Sequence, residues 1–142
     1  MLYDLSTMRS ALTGLPLVLD LTEVTQVSDG RGPAWTCETE DLDVNLLVFG
    51  AGEGVAEHVN REVDVLVVGV AGSGTVTVDG VPHVLAAGTL VIIPKGAHRA
   101  IEGTSERFVY LSCHRRRRRL APRPPAGAPD STDSARTGAP VR

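Results

Sequence analysis

The chain has 142 residues and is 42% hydrophobic but only 4% aromatic, which fits one globular domain with a core of aliphatic side chains. Its net charge is −3, no apolar run approaches the ~20 residues that a membrane-spanning helix needs, and residues 1–9 carry no apolar signal-peptide core. Two widely separated cysteines, Cys37 and Cys113, are too few for a disulfide framework, so we expect a cytoplasmic protein with reduced thiols and no membrane contact.

Residues 1–41 are expected to form an N-terminal extension with outer strands or loops. Leu5 to Leu12 is predicted to be a short helix, and the apolar run from Leu15 to Leu19 is short enough to be an element of the fold. Ser28 to Glu40, which contains the single tryptophan Trp35, is predicted to be a loop.

Residues 42–114 show a succession of short β-rich segments separated by glycine turns. Thr75 to Val78 alternates polar and apolar residues, and the Asp79-Gly80 pair that follows is a strong hairpin signal. The other predicted strands are Val44–Phe49, Val63–Val70, Val81–Leu85, Leu90–Ile93, Ala97–Ile101 and Arg107–Cys113. Regular turns without interleaved helices favour an antiparallel, all-β sandwich or barrel.

Residues 115–142 differ sharply in charge from the rest of the chain. Residues 1–114 carry fifteen acidic and six basic side chains, whereas residues 115–142 carry eight arginines and two aspartates. The segment opens with the five-arginine run Arg115–Arg119 and continues as a Pro-rich mixture with little apolar surface, which predicts a disordered tail. Binding of nucleic acid through Arg115–Arg119 is the less favoured interpretation, because the run lacks aromatic residues for base stacking and the body is acidic.

Two sequence motifs between residues 52 and 103 resemble those of the cupin superfamily, in particular small bacterial single-domain cupins. The motifs are Gly52-x5-His58-x-Asn60-x4-Val65-x6-Gly72 and Gly88-x5-Pro94-x-Gly96-x2-Arg99-x3-Gly103. The resemblance implies a jelly-roll β-barrel over residues 42–114. It also implies a family that includes dioxygenases, isomerases, decarboxylases, epimerases and sensors without enzymatic activity, so the fold alone does not define a reaction.

The metal-ligand positions of these motifs are degenerate. Family members hold Fe, Mn, Ni or Zn with three histidines and one glutamate, and the corresponding residues here are His58, Asn60, Val65 and Arg99. Valine cannot coordinate a metal, and an arginine places a permanent positive charge where a cation would bind. Because Arg99 could instead form paired hydrogen bonds with a carboxylate, either from Glu62 or Asp64 or from a ligand, we predict that His58, Asn60 and Arg99 bind a small organic molecule.

The sequence also allows a second interpretation, in which other residues form a metal site. A small change of strand register would point Glu62 or Asp64 and His98 inward beside His58. Two histidines and one carboxylate would be adequate ligands for a divalent metal (Fe, Mn, Ni or Zn).

Two functions follow from these alternatives. The favoured one is a binding protein for a small organic ligand, without the usual four-ligand metal site. The other is a metal-dependent enzyme of the oxygenase or isomerase type. Because sheet edges of small barrels can pair between copies, we also expect a homodimer.

Overall fold

The computed structural model describes residues 16–27 and 31–117 as one short helix and nine strands. The helix is α1 (Leu21–Val27). The strands are β1 (Gly32–Glu38), β2 (Leu42–Phe49), β3 (Gly54–Val59), β4 (Val65–Ala71), β5 (Ser73–Val78), β6 (Val81–Ala86), β7 (Leu90–Ile93), β8 (His98–Gly103) and β9 (Phe108–Arg115).

The strands form two antiparallel sheets that enclose the core as a jelly-roll barrel. The five-stranded sheet has the order β1-β2-β9-β4-β7, and the four-stranded sheet has the order β3-β8-β5-β6. Consecutive strands β3 and β4 lie in different sheets, as do β7 and β8, so the chain crosses between sheets at the loops after Val59 and Ile93. These two loops place residues 60–64 and 94–97 at the same end of the barrel, since the Gly96 amide donates to the Asn60 carbonyl at 2.7 Å.

The core between the sheets is apolar and contains the stacked aromatic side chains. Phe108 and Tyr110 stack with ring centroids 5.3 Å apart, and Phe49 stacks on Tyr110 at 6.1 Å. Aliphatic side chains fill the remaining space, among them Val65, Val67, Val76, Leu85, Ile93 and Ile101. The alternation predicted for Thr75 to Val78 is therefore realised in β5, and β4 alternates in burial as well.

A second apolar cluster lies on the other face of the five-stranded sheet. Val24 of α1 packs there with Trp35, Leu46, Val48 and Val109. Asp20 caps the helix, because its carboxylate accepts from the amides of Thr22 (2.9 Å) and Glu23 (3.2 Å). The helix therefore covers this outer face of the sheet, and the interior of the barrel is filled by the first cluster.

The predicted all-β fold is confirmed, but strands β1 and β3 were not predicted. Ser28 to Glu40 was predicted to be a loop, but β1 occupies residues 32–38 and pairs with β2. Trp35 and Cys37, two residues apart, are both buried against the outer cluster, and this period-2 signal was obscured by Gly32 and Pro33. Strand β3, which carries His58, was not among the predicted strands.

The C-terminal boundary also differs from the prediction. Strand β9 continues to Arg115, which pairs with Leu42, and the Arg116 amide donates to the Asp41 carbonyl at 2.8 Å. The predicted tail thus begins with three arginines that belong to the folded body. Residues 118–142 and the predicted helix from Leu5 to Leu12 lie outside the described residues. Across residues 16–27 and 31–117, the structure contains no helix with the length and hydrophobicity needed to cross a bilayer.

Candidate functional site

A cavity of about 160 Å³ lies between the two sheets near the end of the barrel that holds the crossing loops. Its polar lining consists of His58, Arg99, Tyr110, Asn45 and Ser112. Its apolar lining comes from Pro33, Leu47, Val55, Val65, Val67 and Ile101.

Arg99 reaches the cavity because of the alternation of strand β8. Arg99, Ile101 and Gly103 are buried, whereas His98 and Glu102 are exposed. Only 8% of Arg99 is accessible to solvent. Within the sheet, Arg99 lies opposite His58 of β3, and His98 lies opposite Val59. The register therefore brings the buried Arg99 and the exposed His58 together at the edge of the cavity and turns His98 away from it.

His58 orients the Arg99 guanidinium through one hydrogen bond. The His58 Nδ1 atom lies 2.9 Å from the Ala56 carbonyl oxygen, which can only accept, so Nδ1 carries the proton. The His58 Nε2 atom then has a free lone pair and accepts from Arg99 Nε at 3.1 Å. A neutral imidazole thus fixes the guanidinium without neutralising its charge.

The rest of the Arg99 guanidinium is not matched by protein groups. Its Nη1 atom is buried and has no hydrogen-bond partner among the described residues. Within residues 16–27 and 31–117, no carboxylate lies within 4.0 Å of the guanidinium. Burial and the neighbouring charge of Arg117 lower the pKa of Arg99, and Tyr110 opposes this effect. Arginine nevertheless stays protonated in proteins, so the cavity contains an unpaired cation.

Tyr110 supplies a neutral hydroxyl to the same cavity. Burial raises the pKa of Tyr110 well above its usual value, and the charge of Arg99 only partly offsets that rise. The phenol therefore stays protonated and can donate a hydrogen bond to a bound group. The Asn45 amide beside it is already engaged, because its oxygen accepts from Thr36 Oγ1 (2.9 Å) and its nitrogen donates to Asp43 Oδ1 (3.2 Å).

Asn60, predicted to bind the ligand, does not line this cavity. Its side-chain oxygen accepts from the amides of Glu62 (3.0 Å) and Val63 (3.3 Å), which shapes the loop between β3 and β4. Its amide nitrogen is buried without a hydrogen-bond partner among the described residues. Asn60 therefore positions the loop that ends at Val65 and does not face the site that Arg99 and His58 share.

The residues proposed for the alternative metal site do not lie together in the structure. Asp64 Oδ1 accepts from the Lys95 amide at 2.8 Å, and Glu62 lies 3.9 Å from Arg117 Nε. His98 Nδ1 lies 3.2 Å from Glu57 Oε1 on the outer surface. Neither carboxylate forms the suggested ion pair with Arg99. In the part of the chain that the structure describes, no three His, Cys, Asp or Glu side chains are grouped so as to hold a metal ion. The residues present do not fit the metal that the fold family implies.

Three polar lining residues were not predicted from the sequence: Asn45, Tyr110 and Ser112. Tyr110 and Ser112 project inward from β9, two residues apart, after the buried Phe108. The period of the strand was visible in the sequence, but which of its faces lines the cavity depends on pairing with β2 and β4.

Comparisons with known proteins agree with this architecture. The cupin domain family matches residues 45–113. The dimethylsulfoniopropionate lyase DddW of Ruegeria pomeroyi is 36% identical over 72 residues, which cover 49% of this chain and 47% of the lyase. The chain thus aligns with about half the length of that relative.

Solved structures with the same fold are more distant in sequence. The protein BH2720 of Bacillus halodurans has a TM-score of 0.66 at 15% identity, covering 75% of this chain and 86% of its own. An RmlC-like cupin of Shewanella frigidimarina has a TM-score of 0.51 at 22% identity, covering 55% and 68%. At these identities the similarity concerns the fold alone.

Proposed function

Residues 45–113 form a domain of the cupin superfamily, and from this premise we propose that its barrel binds a small organic anion through Arg99. The observation that carries the proposal is the buried Arg99 guanidinium, with Nη1 unpartnered and no carboxylate nearby among the described residues. An uncompensated buried charge destabilises a protein by several kcal/mol, so a bound anion that compensates the charge would recover part of that free energy.

The geometry defines how an anion would bind. Because Arg99 Nε already donates to His58, the edge formed by the two terminal nitrogens is the one left for a carboxylate. Tyr110 lines the same cavity and can add a hydrogen bond from its neutral hydroxyl. His58 is a positioning residue in this arrangement, because it acts on the ligand through Arg99.

Binding of carboxylates to the purified protein tests the proposal. A panel of short-chain carboxylates is titrated and followed by isothermal titration calorimetry and by protein NMR. We expect wild type to bind at least one member of the panel and Arg99→Met to lose at least tenfold in affinity, the loss expected for one charge-assisted contact.

The matched control is Arg61→Met, which removes an exposed arginine from the neighbouring loop. The control should bind as wild type does. Equal binding by wild type and Arg99→Met would contradict the proposal, as would a panel in which no carboxylate binds the wild-type protein.

A second candidate function is a lyase acting on a substituted short carboxylate, which the 36% identity to a dimethylsulfoniopropionate lyase favours. Arg99 would hold the carboxylate in this case as well. The candidate general bases in the cavity are His58, whose Nε2 is engaged by Arg99, and Tyr110, whose raised pKa disfavours the phenolate. The sequence-based alternative of a metal-dependent enzyme needs ligands that the described residues do not group together.

This second candidate is tested by two measurements on the same preparation. Consumption of dimethylsulfoniopropionate is followed by proton NMR, and bound metal is measured by mass spectrometry before and after incubation with Fe, Mn, Ni or Zn. Turnover that is lost in Arg99→Met would establish the lyase. Stoichiometric metal that is lost in His58→Ala would instead restore the metal-enzyme alternative.

A further inference from the structure

We infer that the ligand of this cavity is a monocarboxylate of about six carbons with an apolar tail, an inference that rests on the proposed function. Three features of the described residues support it: the charge count inside the cavity, the pairing of charges at its rim, and the size and chemistry of its walls.

The interior of the cavity offers one positive charge. Arg99 is the cation, and the other polar groups in the lining are neutral: Asn45, Ser112, the Tyr110 phenol and the His58 imidazole, which accepts a hydrogen bond from Arg99. One bound carboxylate therefore balances the site. A second carboxylate in the same space would be buried without a counter-charge, which strongly disfavours binding.

The basic groups near the cavity, including the Arg117 whose charge acts on Arg99, are matched by protein carboxylates. Arg117 faces Glu62 (3.9 Å), and Arg116 faces Glu38 (3.7 Å) and donates to the Thr39 carbonyl (3.2 Å). His114, at the same end of β9, lies 3.7 Å from Asp43. Each of these basic groups already has an acidic partner, so a second ligand carboxylate that reached the rim would meet protein carboxylates there.

The walls away from Arg99 are aliphatic, and the volume is small. Leu47, Val55, Val65, Val67 and Ile101 line this part of the cavity. Its volume of about 160 Å³ is close to the ~150 Å³ of an engineered apolar cavity that binds benzene. A six-carbon carboxylate therefore fills it, whereas a twelve-carbon chain would have to extend past the charged rim.

Four six- or twelve-carbon probes separate charge from size: hexanoate, adipate, hexanamide and dodecanoate. Their dissociation constants are measured by NMR titration of the full chain, with wild type, Arg99→Met and the Arg61→Met control. We expect hexanoate to bind, and adipate, hexanamide and dodecanoate to bind at least tenfold more weakly. Hexanoate affinity should fall at least tenfold in Arg99→Met and remain unchanged in Arg61→Met.

The contrary outcomes distinguish this inference from the proposed function. Adipate or dodecanoate binding as tightly as hexanoate, with Arg99→Met weakening it, would overturn the monocarboxylate class and leave anion binding in place. Hexanamide binding as tightly as hexanoate, or no binding that depends on Arg99, would overturn both.

Discussion

Arg99 lies at a buried position where an arginine contributes little to the stability of the fold. The residue is buried, and one neutral histidine is its hydrogen-bond partner. The long aliphatic stem contributes packing against the barrel wall, but the charged group loses hydration without an opposite charge nearby. Arg99 is therefore expected to lower the stability of the ligand-free protein.

This conflict predicts that Arg99→Met stabilises the ligand-free protein. Methionine keeps the apolar stem and removes the buried charge, so the free energy of unfolding should rise by about 1–3 kcal/mol. Urea denaturation followed by circular dichroism measures the change, with Arg61→Met as the control expected to stay within about 0.5 kcal/mol of wild type. A loss of stability in Arg99→Met would mean that the guanidinium has a structural role.

His58 should affect binding through the orientation of Arg99. His58→Ala removes the acceptor at 3.1 Å from Arg99 Nε, and a hydrogen bond to a charged group contributes about 1.5–3 kcal/mol. Hexanoate affinity is therefore expected to fall roughly tenfold or more. His58→Gln provides an amide oxygen as acceptor and should recover part of the affinity. Calorimetric titration compares the three proteins, and failure of glutamine to recover any binding would argue against a positioning role.

The sequence predicted part of this site at the level of single residues. His58 and Arg99 stand at the ligand positions of the cupin-like motifs, and both line the cavity, with Arg99 buried and His58 exposed. Asn60 occupies such a position too, yet it binds backbone amides of its own loop. An asparagine that precedes a turn has this competing option, and motif spacing alone does not reveal which one it takes.

At the scale of elements, strand register decides which residues form the site. The β3–β8 ladder pairs His58 with Arg99 and contains an irregularity between Val55 and His58. A register shifted by one residue would turn His98 inward and Arg99 outward, which is the arrangement that the metal-site alternative requires. The described register thus corresponds to the Arg99 site and not to the metal site, two alternatives between which the sequence did not decide.

The turn between β5 and β6 helps to fix that register. Asp79 adopts a φ of 47°, Gly80 a φ of 80°, and the Asp79 carboxylate accepts from the His98 amide at 2.8 Å. The turn predicted from the Asp79-Gly80 pair is therefore confirmed, and it is tied directly to the start of strand β8.

Asp79→Ala should destabilise the fold. Alanine disfavours a positive φ by about 1–2 kcal/mol and cannot accept the hydrogen bond from His98, so we expect a loss of about 2 kcal/mol in unfolding free energy. Asparagine tolerates this backbone conformation and keeps an acceptor oxygen, so Asp79→Asn should lose less than about 1 kcal/mol. Thermal and urea denaturation measure both, and equal stability of the two variants would contradict this role of the turn.

Most strands of the fold were predictable because local signals and the final structure agree. Glycine turns and alternation located β2 and the strands from β4 to β9 to within a few residues. Strand β3 was missed because its sequence alternates only weakly. Only Val55 and Val59 are half-buried, the other residues of the strand are exposed, and its place in the sheet depends on pairing with β8.

At the scale of the whole molecule, acidic residues of the body pair with arginines of the C-terminal run. Glu38 pairs with Arg116, and Glu62 pairs with Arg117. Exposed pairs of this kind contribute little to stability, so their main effect is on the potential near the cavity.

Association of two copies stays a prediction. The side chains of Leu90 and Ile92 on the edge strand β7 are 53% and 62% exposed, and Val84 on the edge strand β6 is 70% exposed. These apolar groups at sheet edges are compatible with the homodimer expected from the sequence.

The central claim is that the barrel holds an anion at Arg99, and arginine side-chain NMR tests it most directly. The short-chain carboxylates of the panel are titrated into ¹⁵N-labelled protein while the guanidinium resonances are recorded, with Arg99→Met used to assign the Arg99 signals. We predict that at least one of them causes saturable shifts of the Arg99 resonances, with the exposed arginines unchanged. Arg99 resonances that no carboxylate of the panel perturbs, or uniform shifts of all arginines, would contradict the claim.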